Sequence, residues 1–202
     1  SLKGIRIIDL SMGWAGPLAA RNLADLGADV IKVESCENFD WWRSWEATQE
    51  WIDDDGAEKS PAFNSVHRNN KNITLDLSYK EGRELLLKLV GTANAVMENF
   101  SGGVLPKLDL SYEVFKKVKE DIILLSMHAF GSSGPWKMFR GYGSTIEQSS
   151  GLPHVNGISS DLPMMHHVAY GDAVAGLNGV SALLIALRHQ AKTGKGQFID
   201  LS

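Results

Sequence analysis

The first 34 residues contain two short apolar runs with a helical pattern between them. Residues 5–10 end at a Ser-Met-Gly turn, residues 15–27 carry leucine and alanine at helical spacing, and a second apolar run occupies 29–34. Two strands joined in this way by one helix pair in parallel through a right-handed crossover. The segment therefore predicts a parallel sheet that is covered by helices.

The same alternation continues through the rest of the chain. Strands are predicted at 72–77, 94–98, 122–127 and 196–201, and helices at about 80–90 and 112–118. The expected fold class is α/β, a Rossmann-like doubly wound parallel sheet with flanking helices. The first turn, residues 11–17, lacks the G-x-G-x-x-G pattern of dinucleotide-binding proteins, so the sequence does not favour NAD. Because the chain stops inside a predicted strand, we expect it to be part of a longer protein.

Composition argues against several classes of partner. The 202 residues are 44% hydrophobic and 22% charged, which is enough for one sizeable domain or two small ones with a real core. The net charge is −4 and the basic residues are dispersed, which disfavours a nucleic-acid surface. A single cysteine, Cys36, excludes an internal disulfide and fits a reducing compartment. No apolar run approaches the ~18 residues of a membrane span and no signal peptide is evident, so we expect a soluble, cytoplasmic protein.

Residues 35–71 interrupt the alternation with a long polar insertion. From Glu37 to Glu58 it holds eight acidic residues and one basic residue, Arg43, together with four of the six tryptophans, Trp41, Trp42, Trp45 and Trp51. One interpretation is an amphipathic helical turn that packs its tryptophans on the body of the protein. The other is a binding site in which indole faces beside carboxylates attract a cationic or onium group.

One carboxylate stands where a long apolar helix is predicted to begin. Asp172 is followed by small and apolar residues at the spacing of a buried helix, and glycines at 171, 176 and 179 leave room for a ligand. The positive end of the helix dipole favours the ionised carboxylate, so Asp172 is a candidate nucleophile. The alternative is that Asp172 only caps the helix.

Short phrases along nearly the whole chain occur in the order found in one protein family. They are residues 2–10 with Ala15-Gly16-Pro17, 26–34, 70–77, 81–83, 98–100 with 103–105, 130–135, 148–152, Gly171-Asp172, and 193–197 with 199–200. In this order they resemble the family III CoA-transferases, which include formyl-CoA transferase, carnitine CoA-transferase and the α-methylacyl-CoA racemases. Each phrase is weak by itself, but together in register they leave little room for coincidence.

The resemblance implies that Asp172 attacks an acyl-CoA thioester, forms an aspartyl mixed anhydride and then an aspartyl-CoA thioester, and passes CoA to a carboxylic acid. It also implies a CoA-binding set without a metal, comprising Gly13, Trp14, Ala15, Leu75, Asn99, Phe100 and Lys107. The chain, residues 1–202, would be the N-terminal portion of the large CoA-binding domain of an interlocked homodimer. The family's glycine-rich loop would lie beyond residue 202, in the C-terminal remainder.

The sequence departs from the family at two positions. Where the family often has a basic residue for the nucleotide, this chain has Ser35-Cys36, so Arg43, Arg68 or Lys71 would have to substitute. The stretch that holds the racemase histidine, residues 141–146, contains Tyr142 instead, which is a poor proton carrier at neutral pH. His166 and His167 lie near Asp172 in sequence but match no role in the family.

We therefore expect CoA transfer between an acyl-CoA and a carboxylic acid. Two alternatives stay open: an α-methylacyl-CoA racemase, and a non-catalytic acyl-CoA-binding module whose tryptophan-rich loop meets a partner. The tryptophans and acids of the insertion favour an onium acid, such as a carnitine-like zwitterion, as the acceptor.

Overall fold

The computed structural model describes residues 2–44, 48–156, 162–165 and 168–202. Its strands are β1 (Arg6–Asp9), β2 (Asp29–Glu34), β3 (Lys71–Thr74), β4 (Ala95–Glu98), β5 (Ile123–Ser126) and β6 (Gln197–Asp200). Its helices are α1 (Ala15–Asp25), α2 (Gln49–Asp53), α3 (Gly56–Lys59), α4 (Pro61–His67), α5 (Lys80–Val90), α6 (Val104–Lys107), α7 (Tyr112–Val118), α8 (Gly143–Ser149), α9 (Leu152–Asn156) and α10 (Tyr170–Thr193). Each predicted strand and helix is present, with ends that differ by no more than three residues.

Within the described ranges, the six strands form one sheet in the order β3-β2-β1-β4-β5-β6, and every pairing is parallel. The order reverses between β1 and β4, because the chain first builds outward to β3 and then returns to the other edge of β1. This is the doubly wound order of Rossmann-type sheets, so the predicted fold class is confirmed. Ligands of such sheets bind outside the carboxyl ends of the strands at the reversal.

The central strands are apolar on both faces because each face is covered by helices. Ile7 of β1 belongs to a core with Leu23 of α1 and Leu183 of α10. The next residue, Ile8, points to the opposite face and belongs to a second core with Leu86 of α5. The apolar run at the start of the chain thus reflects a strand that is buried from both sides.

The long helix α10 packs along α1 and ends at Gly194, whose φ of 68° places it in the left-handed region that glycine adopts at helix ends. Contrary to the expectation from sequence, α10 is long and apolar enough by length and composition to cross a membrane, and no other described helix meets that criterion. A core helix meets the same criterion, and α10 contributes Leu183, Ala186 and Leu187 to a core.

The insertion at 35–71 folds into α2, α3, α4 and the loops between them, and then enters β3. Its tryptophans pack on aromatic neighbours: Trp42 lies 5.6 Å from Trp14, and Trp51 stacks on Phe39 at 6.2 Å between ring centroids. The contact of Trp42 supports the first interpretation, in which the tryptophans pack on the body of the protein, whereas Trp51 packs on Phe39 within the insertion itself. Trp45 lies outside the described residues.

Candidate active site

A cavity of about 640 Å³ opens at the carboxyl ends of the strands around the reversal point. Its wall includes residues that lie just beyond the ends of four strands: Met12 after β1, Asn99 after β4, His128 after β5 and Leu201 after β6. Asp172, from the first turn of α10, lines the same cavity. The site therefore lies where the topology of the sheet predicts a ligand to bind.

Asp172 does not cap its helix. It is the third residue of α10, and the capping position belongs to Ala169, which makes no side-chain hydrogen bond there and has a φ of 46°. The backbone N–H of Asp172 donates to the carbonyl of Ala169 at 2.9 Å. The interpretation of Asp172 as a helix cap is therefore wrong, and its carboxylate is available for another role.

The Asp172 carboxylate lies where three helices begin. It accepts hydrogen bonds from the backbone N–H groups of Ala15 and Gly143, which are the first residues of α1 and α8. Such N–H groups have no partner inside their own helices and carry the positive end of the helix dipole. Gly143 is also packed against the carboxylate, because a methyl group at its Cα would overlap the oxygen Oδ2.

Burial has a stronger effect on this carboxyl than the helix ends. Burial raises the pKa of Asp172 above its ordinary value of 3.8, and the hydrogen bonds from Gly143 and Ala15 offset only part of that rise. The expectation that the helix start favours the ionised carboxylate is correct in direction, but it omits the larger and opposing effect of burial. A desolvated carboxylate of raised pKa is more basic, and therefore a better nucleophile, than one in water.

Four of the predicted CoA-binding residues line the cavity with Asp172, namely Trp14, Ala15, Asn99 and Phe100. Asn99 holds the turn after β1 from both sides, because its side chain accepts from the N–H of Met12 and donates to the carbonyl of Met12, each at 2.8 Å. The turn that carries Trp14 is thus tied to the end of β4.

The other three predicted residues do not line this cavity. Gly13, at a φ of 77°, lies behind the wall with the ring of Trp41 packed on its Cα. Leu75 is partly buried and packs on the core that contains Ile8. Lys107 is exposed at the end of α6.

The cavity also contains polar side chains that the sequence did not assign to the site: His128, Arg140 and Glu147. His128 Nε2 lies 3.1 Å from Oε1 of the fully buried Glu98, whose other oxygen accepts from the N–H of Phe100 at 2.8 Å. The hydrogen bond to Glu98 raises the pKa of His128 above its ordinary value of 6.5, although burial opposes it. The sequence offered one signal that His128 belongs to the site: it directly follows a predicted strand, and the carboxyl ends of parallel strands lie at the same edge of the sheet.

The three basic residues that were expected to substitute at the nucleotide are paired elsewhere. Arg43 is buried and contacts Glu34 at 2.6 Å, and its guanidinium also lies 3.7 Å from the ring centroid of Phe63. Arg68 pairs with Asp25 at 2.7 Å, and Lys71 pairs with Asp29 at 2.6 Å. The burial of Arg43 rules it out as a phosphate ligand in this conformation.

Two further expectations concern histidines and metals. Tyr142, which the resemblance was expected to align with the racemase histidine, is exposed, lines the cavity and meets the edge of Trp41 at 6.2 Å between ring centroids. His166 and His167 lie outside the described residues. Among the residues that are described, no group of three or more His, Cys, Asp or Glu side chains could hold a metal ion.

The fold and the site define a class: an α/β protein of the Rossmann type that presents a desolvated carboxylate to a cavity at the reversal of its sheet. The chain matches the family model of CoA-transferase family III over residues 2–202, and it belongs to that family.

Relatives of known name match over about half of their own length. The succinate–glutarate CoA-transferase of Agrobacterium fabrum is 38% identical over 203 residues, which cover 100% of this chain and 50% of the relative. The succinyl-CoA–L-malate CoA-transferase alpha subunit of Chloroflexus aurantiacus is 35% identical over 208 residues, which cover 99% of this chain and 46% of the relative. A solved CAIB/BAIF family protein from Brucella suis has a TM-score of 0.88 at 37% identity, covering 100% of this chain and 52% of that chain.

Proposed function

We propose that the full-length protein transfers CoA from an acyl-CoA to a carboxylic acid, with Asp172 as the nucleophile. The observation that carries the proposal is the Asp172 carboxylate, which is desolvated, lines the cavity and accepts N–H groups from two helix starts. A carboxylate so placed is suited to covalent catalysis.

The chemistry proceeds in four displacements. The Asp172 carboxylate attacks the thioester carbonyl of the donor, the C–S bond breaks, and an acyl-aspartyl anhydride and CoA thiolate form. The thiolate then attacks the aspartyl carbonyl and releases the donor acid, leaving an aspartyl-CoA thioester. The acceptor carboxylate attacks that thioester to give a second anhydride and free thiolate, which finally attacks the acceptor's acyl carbon. Acyl-CoA leaves, and the Asp172 carboxylate is restored.

The site supplies two conditions that this sequence needs. The N–H groups of Ala15 and Gly143 point at the Asp172 carboxyl, so they would also stabilise the negative charge on its oxygen when the aspartyl carbonyl is attacked. The anhydride must be kept from water, and the aromatic and aliphatic wall formed by Trp14, Trp41 and Phe100 limits access to it.

We propose that the acid is a dicarboxylic acid. The relatives are named for succinate, glutarate and malate, which are all dicarboxylic acids. The cavity offers the guanidinium of Arg140 and the imidazole of His128, whose pKa is raised, and both side chains can donate to a second carboxylate or to a phosphate of CoA. Asp40, which neighbours Trp41 and Trp42 in the insertion, is not free to bind an onium group, because its carboxylate is buried and paired with Lys32.

We also propose that the chain is the N-terminal portion of the large domain, and that the remainder supplies the glycine-rich loop and a homodimer partner surface. The match to only half of each relative supports this division. A cytoplasmic location is part of the same proposal, and it agrees with the free, exposed thiol of Cys36.

The proposal is tested with full-length protein, succinyl-CoA and a panel of acceptor acids that includes glutarate, malate and carnitine. Asp172→Asn should lower the rate of CoA exchange by about 1,000-fold or more, because the nucleophile is lost. Glu147→Gln is the matched control, since it removes a different cavity carboxylate. Exchange that survives Asp172→Asn contradicts the mechanism, and carnitine outcompeting the dicarboxylic acids contradicts the proposed substrate.

The same samples separate the two alternatives. A racemase would wash the α-deuterium out of a 2-methylacyl-CoA without any acceptor acid, and His128 is a cavity side chain able to carry that proton. A non-catalytic module would bind CoA but would catalyse no exchange of CoA between acids.

A further inference from the structure

A buried cluster of charged side chains lies directly behind the cavity wall. Asp40 and Lys32 have fully buried side chains, and their charged atoms Oδ2 and Nζ lie 3.2 Å apart. The Nε2 atom of His67, whose side chain is 2% exposed, lies 3.4 Å from the same Asp40 oxygen. None of these side chains lines the cavity, so the reaction itself does not use them.

The Asp40 carboxylate joins two segments that are distant in sequence. Its oxygens accept from the backbone N–H of Gly13 at 3.1 Å and from that of Trp42 at 3.0 Å. Lys32 reinforces the junction, because its Nζ also donates to the carbonyl of Ser11 at 2.5 Å. The turn after β1 and the tryptophan-rich segment are thus held by one buried ion pair.

The charge of Asp40 is preserved in this environment. Burial acts to raise the pKa of Asp40, but the hydrogen bond with His67 and the positive charge of Lys32 outweigh it and lower the pKa. The other ring nitrogen of His67, Nδ1, lies 2.9 Å from the carbonyl oxygen of Phe63, so both nitrogens of the ring face oxygen acceptors.

The contacts of Asp40 hold the aromatic wall of the cavity in place, which is formed by Trp14 and Trp41. A methyl group on Gly13 would lie 2.9 Å from one Trp41 ring atom and 3.2 Å from another, and closer still to a third, so the indole rests on the bare Cα. On the other side Trp41 meets Tyr142 edge to face, and Trp14 lies against Trp42. A shift of the Gly13 turn would therefore move both Trp14 and Trp41.

We propose that Asp40 is a positioning residue for acyl-CoA binding: its carboxylate fixes the Gly13 turn against Trp41 and so sets the aromatic wall of the cavity. A buried ion pair often stabilises a fold no better than apolar side chains of the same volume, whereas the hydrogen bonds of Asp40 fix where the Gly13 turn and Trp42 lie. The inference rests on the proposed function, since the wall matters only if acyl-CoA occupies the cavity.

The test compares Asp40→Asn with Asp54→Asn in the full-length protein. Asn keeps the shape of Asp40 and one acceptor oxygen but loses the charge that faces Lys32. Asp54 belongs to the same insertion and forms an exposed pair with Lys59 at 2.6 Å, so its replacement controls for a lost acid in this segment. The measurements are kcat, KM for succinyl-CoA, Kd for CoA from quenching of tryptophan fluorescence, and circular dichroism.

We expect Asp40→Asn to raise KM for succinyl-CoA and Kd for CoA by about tenfold and to change kcat by less than about threefold. The tryptophan emission should also shift, which a role in stability alone would not produce in a folded variant. Asp54→Asn should match the wild type. An Asp40→Asn protein that is folded and has wild-type KM, Kd and emission overturns the inference.

Two further results keep this test independent of the proposed function. If Asp40→Asn does not fold, Gly13→Ala displaces Trp41 while both charged side chains, Asp40 and Lys32, are kept, and an unchanged Kd in that variant overturns the inference. If the wild type binds CoA but catalyses no exchange, the proposed function fails while the Kd comparison still decides the role of Asp40. A wild type that binds no CoA overturns both.

Discussion

Replacing Gly143 with alanine tests whether the position of the Asp172 carboxylate governs the reaction. The added methyl group would lie 2.9 Å from the backbone nitrogen of Asp172 and 3.0 Å from Cβ of Ala169, and closer still to the carboxylate oxygen Oδ2. Ordinary contacts of a Cβ begin at 3.4 Å. The carboxylate must therefore move by about 1 Å or more, which in a nucleophile costs about 100-fold in rate.

The assay is CoA transfer from succinyl-CoA by the full-length protein, with thermal unfolding measured in parallel. We expect kcat to fall about 100-fold with little change in KM, and the unfolding free energy to fall by about 1–3 kcal/mol from overpacking. Ser144→Ala is the control, because it changes the next residue of α8 without adding an atom near Asp172. A Gly143→Ala protein with kcat within about threefold of the wild type would show that the position of the carboxylate does not govern the rate.

Three further predictions concern stability. Asp172→Asn should stabilise the protein at neutral pH by about 1 kcal/mol, which corresponds to roughly 2–4 °C in Tm. The reason is that the pKa of Asp172 is raised in the folded state, so the wild-type protein loses stability as pH rises through that pKa. A lower Tm in the variant would contradict this prediction. The pKa of His128 is also raised, so its contribution to stability is complete below pH 6.5 and is lost as pH rises through the higher folded-state pKa. His128→Gln should therefore flatten the fall in urea-unfolding stability that the wild type shows above pH 6.5. Arg43→Met leaves Glu34 buried without its cation and should cost about 3–5 kcal/mol in urea unfolding, whereas Arg68→Met, at an exposed pair, should cost little.

The helices and strands could be predicted from local sequence because the spacing of apolar residues in each element shows which of its faces are buried. The strand at Ile7 and Ile8 is apolar on both faces, and the glycine after α10 ends a pattern of small and apolar residues. Periodicity is a property of neighbours in sequence, so it identifies such elements well.

The environment of the candidate site could not be predicted in the same way. The pKa of Asp172 depends on burial under residues from other helices. Its N–H donors, Ala15 and Gly143, precede it in the sequence by 157 and 29 residues, respectively. His128 pairs with Glu98 across two neighbouring strands, and no local pattern records that pairing. The family resemblance supplied Asp172, but only the fold shows what surrounds it.

The same limit applies to the insertion. Its acids and tryptophans suggested a binding site for a cationic group, because sequence shows composition but not which charges are paired. The structure places Asp40 with Lys32 in the interior and Trp41 in the cavity wall. Composition alone could not distinguish a buried ion pair from an exposed acidic surface.

The most direct test of the account is mass spectrometry of the full-length protein trapped with hydroxylamine during turnover with succinyl-CoA. We expect an aspartyl hydroxamate on the peptide that contains Asp172, absent without acyl-CoA and absent in Asp172→Asn. An unmodified Asp172 peptide from protein that is exchanging CoA at its full rate would show that Asp172 is not the nucleophile.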